Sequence, residues 1–307
     1  MRIRHETFTP RTHILSSMNT RKRISRTKVA AIAAIAAGII AVTIPAQIGN
    51  AALPTHVEHS ASSSPKPTIV LVHGAWADGS SFAPETAALQ LAGYTVLVAP
   101  NPLRGLANDT KVLSDFLAQR TSGPVVLVAH SYGGMIITGA GLTDPDVKAL
   151  VYVDAYAPDA GDSAQSLTNA KPGSLLNVAD PTTVFDVVLP SPTAPQPEWD
   201  SYIRQDKFKA IFAASLPTTI TDVLGAAQSP VTFGALGTPY QGASAWESIP
   251  SWFYIGTADK VIPPAEQRYM AARAHGKVTE GNAPHLSMLA QPLQITKVIL
   301  DAAKSVR

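Results

Sequence analysis

The sequence predicts an α/β protein: a mostly parallel sheet flanked by helices, with a helical cap inserted in the later half. Three observations carry this. Short, continuous apolar runs rich in Val and Ile recur from Thr68 onward. Such runs suit strands buried on both faces, as in a parallel sheet. Segments with helical spacing alternate with the runs, and one proline-crowded stretch, 157–246, breaks the rhythm. A length of 307 residues allows one large domain or two small ones. With 46% hydrophobic and 15% charged residues, the chain is too apolar to be disordered.

The first strand is Thr68-Ile-Val-Leu-Val-His73, stopped by Gly74. Ser80 to Ala92 has helical spacing through Phe82, Leu89 and Leu91, and Gly93 stops it. Tyr94 to Ala99 is the second strand, closed by Pro100-Asn101-Pro102. Asp109 to Arg120 is an amphipathic helix with Val112, Leu113, Phe116 and Leu117 on one face. Gly123-Pro124 turns into the third strand, Val125 to Ala129, and Met135 to Ala140 leaves it as an apolar helix. Val147–Val153, Trp252–Gly256 and a short Lys277–Glu280 supply three more strands. Gln294 to Lys304 closes the chain as a helix. The main domain thus spans 68–307, with 157–246 as its cap. No internal repeat and no G-x-x-x-x-G-K-[ST] phosphate loop is visible.

The N-terminal fifty residues read as an address. Arg21, Lys22, Arg23, Arg26 and Lys28 precede an uncharged run, Val29 to Ile44. Pro45 and the small-residue site Gly49-Asn50-Ala51 follow. This is the order of a secretory signal, so residues 1–51 are expected to be cleaved and the protein secreted or periplasmic, with a retained anchor as the alternative. The run is short for a membrane span of about 20 residues, so no stable membrane contact is expected after cleavage. Met18 offers an alternative start with a more ordinary leader length. Residues 52–67, rich in Ser and Pro, read as a linker. Residues 1–51 carry +7, leaving 16 basic and 21 acidic residues elsewhere, a net of −5. The basic pI therefore belongs to the leader and argues nothing for nucleic acid. Zero cysteines exclude disulfides, thiol nucleophiles and thiolate metal sites.

The strongest chemical signal is Ala129-His130-Ser131-Tyr132-Gly133-Gly134 between a strand and a helix. Ser131 sits where a sharp strand–turn–helix exposes a nucleophile, and small residues two before and two after it leave room for the turn. A Ser hydroxyl needs an adjacent base. His285, in Gly281-Asn-Ala-Pro-His285, lies in a loop before the closing helix; His275, at a helix end, reads as a cap. The base needs an acid to hold its tautomer. Asp259 follows a strand in Gly256-Thr-Ala-Asp259, and Asp154 is its rival at another strand end. The order Ser131, Asp259, His285 is that of one known triad arrangement. An oxyanion needs N–H donors. The backbone of Tyr132 and of Ala75, in His73-Gly74-Ala75-Trp76, are placed to supply them, with His73 holding that loop.

His73-Gly-Ala-Trp76, Ala129-His-Ser-Tyr-Gly-Gly134, Gly256-Thr-Ala-Asp-Lys-Val-Ile-Pro263 and His285-Leu-Ser-Met-Leu-Ala-Gln-Pro292 together resemble the α/β-hydrolases. The nearest branch holds plant methyl-ester esterases, hydroxynitrile lyases and bacterial carboxylesterases. The resemblance implies the α/β-hydrolase fold, a serine-hydrolase triad on Ser131, Asp259 and His285, and no cofactor or metal. The lyases differ: they carry Thr in place of Gly74, and Lys in place of Leu286. Enzymes of this fold with an Asp nucleophile are excluded by Ser131. The expected activity is hydrolysis of a small or medium carboxylic ester or lactone. A non-catalytic ligand-binding protein and a cofactor-free oxygenase are the alternatives. The cap's aromatic residues and Trp76, beside the oxyanion loop, are candidates to bind the substrate.

Overall fold

Strands come where apolar runs are too short and too β-branched for buried helices. The computed structural model describes residues 65–306. The signal reading for 1–51 and all of the linker before Pro65 lie outside the described residues. The linker's end, Lys66, donates to the Ala92 carbonyl.

The chain runs β1 (Thr68–Val72), α1 (Ala83–Leu91), β2 (Val96–Val98), α2 (Leu106–Arg120), β3 (Val125–His130), α3 (Gly133–Ala140) and β4 (Val147–Val153). After the cap come β8 (Ser251–Gly256), α8 (Pro264–Arg273), β9 (Lys277–Gly281), α9 (Ser287–Ala290) and α10 (Pro292–Lys304). Six strands form one sheet in the order β2-β1-β3-β4-β8-β9, and every pairing is parallel. Every residue of β3 and β8 is buried. Helices flank the sheet: α3 packs on β1 and β3 and against α2, while α10 packs on β3, β4 and β8 and against α1. This is the α/β-hydrolase fold.

The helix expected from Asp109 begins three residues earlier, at Leu106. Asp109 is therefore in the first turn rather than at the cap, and it is fully buried. The second strand is shorter than Tyr94–Ala99, covering only Val96–Val98.

The cap contains α4 (Ala164–Asn169), α5 (Gln205–Phe212), α6 (Thr218–Ala226) and α7 (Phe233–Gly237). It also holds an antiparallel sheet of β5 (Phe185–Val188), β6 (Asp200–Ile203) and β7 (Val231–Thr232). The expected helical cap is present, and this small sheet is an addition the sequence reading did not contain. Its strands are two to four residues long and separated by prolines. That is too short for an alternating pattern to register. The cap's two stems are tied together. Ser244 Oγ and Trp246 Nε1 donate to the Pro158 carbonyl at 2.9 and 2.8 Å, and Tyr240 N–H donates to the Asp162 carbonyl at 2.7 Å.

Candidate active site

From β1 the chain moves outward to β2, then returns on the other side of β1 to form β3. The loops leaving β1 and β3 therefore diverge at the carboxyl ends of adjacent strands. Open α/β sheets bind ligands at such a switch point. Ser131 follows β3 directly and has φ 53°. A left-handed non-glycine residue costs on the order of 1–3 kcal/mol, and such strain clusters at functional sites. The turn is tight because it abuts β1: a Cβ on Gly133 would lie 2.7 Å from the Val72 carbonyl oxygen. Gly74 is held as closely, since its Cβ would lie 2.6 Å from Ser131 Cβ. The loop after β1 thus lies directly against the Ser.

His285 stands between β9 and α9 and joins the other two groups. Its Nε2 is 2.9 Å from Ser131 Oγ, and its Nδ1 is 2.9 Å from Asp259 Oδ2. With Nδ1–H donating to the carboxylate, the lone pair of Nε2 faces the hydroxyl. Asp259 Oδ1 accepts from the N–H groups of Val261 (2.7 Å) and Ile262 (3.1 Å). Its Oδ2 also accepts from the Gln267 amide at 2.7 Å. Ser131, Asp259 and His285 are all buried. Burial lowers the His285 pKa to about 3 and keeps the ring neutral. Burial pushes the Asp259 carboxyl up from the usual carboxylate range, and the Val261, Ile262 and Gln267 donors pull it back down and favour the carboxylate.

Asp154, the rival acid, is not hydrogen-bonded to His285. It directly follows β4, has φ 42° and accepts the Gly256 N–H at 2.6 Å, which pins the end of β8. Burial, then the charge of nearby Asp259, raise its pKa well above the usual carboxylate range.

Of the two expected oxyanion donors, Tyr132 directly follows Ser131, and Ala75 follows Gly74, which lies against Ser131. Among the described residues, neither the Ala75 nor the Tyr132 backbone N–H has a hydrogen-bond partner. Trp76, the next residue, has φ 55°, and its indole N–H donates to the Ser201 carbonyl at 3.0 Å, tying this loop to β6 of the cap. His73 Nδ1 lies 3.0 Å from the Gly74 carbonyl, and the Asn101 amide donates to the His73 carbonyl at 2.8 Å. That fits a loop-holding role. His275, at φ 49°, sits just past α8 and away from this group.

Three supporting residues escaped the sequence reading. His130 Nε2 donates to the His285 carbonyl at 3.0 Å, with the two rings 4.6 Å apart. Gln267 looks like any polar helix residue in sequence, but it is buried against Asp259. Asp109 accepts the Tyr132 hydroxyl at 3.1 Å and so anchors the residue after the Ser. Only the position of His130 beside Ser131 could have drawn notice. The other two contacts, Gln267 with Asp259 eight residues earlier and Asp109 with Tyr132 twenty-three residues later, match no short motif. Among the described residues, no cluster of three or more His, Asp or Glu forms that could hold a metal.

A cavity of about 510 Å³ opens between cap and sheet, lined by Trp76, Tyr156, Phe185 and Phe233 among others. Phe208 and Phe212, two further aromatic residues of the cap, are buried and do not line this cavity.

The model of the alpha/beta hydrolase family matches residues 69–297. The chain belongs to that family. It is 38% identical over 110 residues to a carbendazim hydrolyzing esterase of Nocardioides sp.. That match covers 32% of this chain and 46% of the relative, so the chain spans under half the length of that protein. It is 27% identical to a pyrethroid hydrolase of Sphingobium wenxiniae, over 76% of this chain and 87% of the relative. Among solved structures, a polyneuridine aldehyde esterase superposes with TM-score 0.64 at 20% identity, covering 77% of this chain and 99% of the other. That last likeness is one of fold.

Proposed function

We propose that the protein is a serine esterase cleaving a small or medium carboxylic ester or lactone through an acyl-enzyme. The observation that carries this is the continuous link Asp259–His285–Ser131, with both His285 contacts at 2.9 Å. Neutral His285 takes the Ser131 proton as Oγ attacks the acyl carbon. Asp259 holds the Nδ1–H tautomer and stabilises the imidazolium that forms. The N–H groups of Ala75 and Tyr132 receive the developing oxyanion. His285 then protonates the departing alcohol. Water, deprotonated by His285, cleaves the acyl-enzyme and returns Ser131. The named relatives, an esterase and a pyrethroid hydrolase, support ester chemistry.

The test is labelling by a fluorophosphonate and turnover of p-nitrophenyl acetate, in the wild type and Ser131→Ala. Labelling should vanish, and kcat should fall by at least about 10³-fold, with the fold retained by circular dichroism. Equal labelling and turnover in the variant would remove Ser131 from the mechanism.

A further inference from the structure

The cavity and the triad are joined by an unbroken chain of rings. Phe233 meets Phe185 edge-on with centroids 5.9 Å apart. Phe185 stacks on Trp76 at 5.6 Å and 29°. Trp76 meets Phe212 edge-on at 5.8 Å, and Phe212 meets His285 edge-on at 5.0 Å. The first three rings belong to the cavity wall, whereas Phe212 and His285 lie behind it. Trp76 therefore stands at the end of the cavity nearest the triad, one residue from the Ala75 N–H. Its indole N–H is already taken up by Ser201, so the ring offers the cavity a face and not a donor.

The polarity of the cavity is graded. Trp76, Tyr156 and Phe185 are buried. Gln165, Asn169, Asn177 and Gln196 stand exposed around them and add neutral amides. No Asp, Glu, Lys, Arg or His lines the cavity. The Tyr156 hydroxyl is paired with Thr168 Oγ1 at 2.6 Å, so no unpaired buried hydroxyl waits there for a ligand.

We propose that this cavity is an aryl subsite. It takes an aromatic group on the acyl or alcohol side of the ester, against Trp76 and Phe185, with Phe233 closing the edge. Trp76 and Phe185 are its specificity-determining residues. The bond cleaved rests on the serine-esterase reading; the ring held rests on the cavity.

Aromatic rings paired stacked or edge-on gain energy beyond the area they bury. A cyclohexyl group is bulkier and more apolar than phenyl, so a merely greasy pocket favours cyclohexyl or is indifferent. That contrast sets the test. We would measure kcat/KM for ethyl 3-phenylpropanoate against ethyl 3-cyclohexylpropanoate, and for 2-phenylethyl acetate against 2-cyclohexylethyl acetate. The two pairs read whichever side of the ester faces the cavity. The wild type should prefer phenyl by about fivefold in at least one pair. That preference should fall below about twofold in Phe185→Leu and in Phe233→Leu, each checked for folding by its melting temperature. The same discrimination should appear in Ser131→Ala as tighter binding of 4-phenyl-2-butanone than of 4-cyclohexyl-2-butanone, read by tryptophan fluorescence. Equal kcat/KM within both pairs, or a preference untouched in both folded Leu variants, would overturn the proposal. A wild type that hydrolyses no ester yet binds the phenyl ketone preferentially would overturn the esterase reading and keep the subsite. Hydrolysis with no ring preference would do the reverse.

Discussion

Neutral His285 accepts a proton, and protonated His285 does not. Its pKa is lowered from 6.5 to about 3 by burial. A lowered pKa means the ring stays neutral as pH falls past its ordinary value. The acid limb of kcat/KM, which reports the free enzyme, should therefore have its midpoint below 6.5. A midpoint above that value would show a more hydrated or more strongly paired imidazole. The two acids separate by geometry: Asp259 touches His285 Nδ1, whereas Asp154 touches Gly256 N–H. Asp259→Asn should lower kcat by about three to four orders of magnitude through the wrong tautomer. Asp154→Asn keeps an oxygen for the Gly256 N–H and should stay within about tenfold of wild type, since Asp154 makes no hydrogen bond to His285. Steady-state kinetics on both variants decides it, and the reverse ranking would move the acid to Asp154. Ser131, Asp259 and His285 were legible because each ends or follows a strand inside a short motif. Gln267 was not, because a buried amide in a helix differs from a surface one only in what it packs against.

The elbow between β3 and α3 is the element that places Ser131. It presses on β1, where the Val72 carbonyl leaves no room for a Cβ at position 133. Gly133→Ala should overpack this contact, at a cost of about 1–3 kcal/mol. For a domain of this size that lowers Tm by roughly 2–10 °C, as thermal unfolding would show. An unchanged Tm would mean that the elbow backs onto space. Most of the sheet was legible as apolar runs, because strands buried on both faces need no alternation. The cap sheet was not. Its register is set by partners, Phe185 opposite Ile203 and Ser201 opposite Val231, rather than by any pattern within four residues.

At the scale of the molecule, Arg273 of α8 joins the cap to the sheet domain. It pairs with Asp162 at 2.8 Å, donates to the Ala157 carbonyl, and lies over the rings of Trp246 and Tyr269. Both members of the pair are mostly shielded from water. Arg273→Ala should lower Tm by roughly 3–8 °C and make the stretch 157–246 more sensitive to limited proteolysis. Mass spectrometry of the fragments would locate the cuts, and wild-type resistance would show that the stem bonds to Pro158 suffice. The sequence alone determined the strand–helix alternation and the short motifs that hold Ser131, Asp259 and His285, because each of these is written in residues adjacent along the chain. The tertiary structure decided that Gln267 and His130 support the Asp259–His285–Ser131 link, which rings line the cavity and which become core. Those outcomes depend on contacts between separate segments, and no local pattern records such distances.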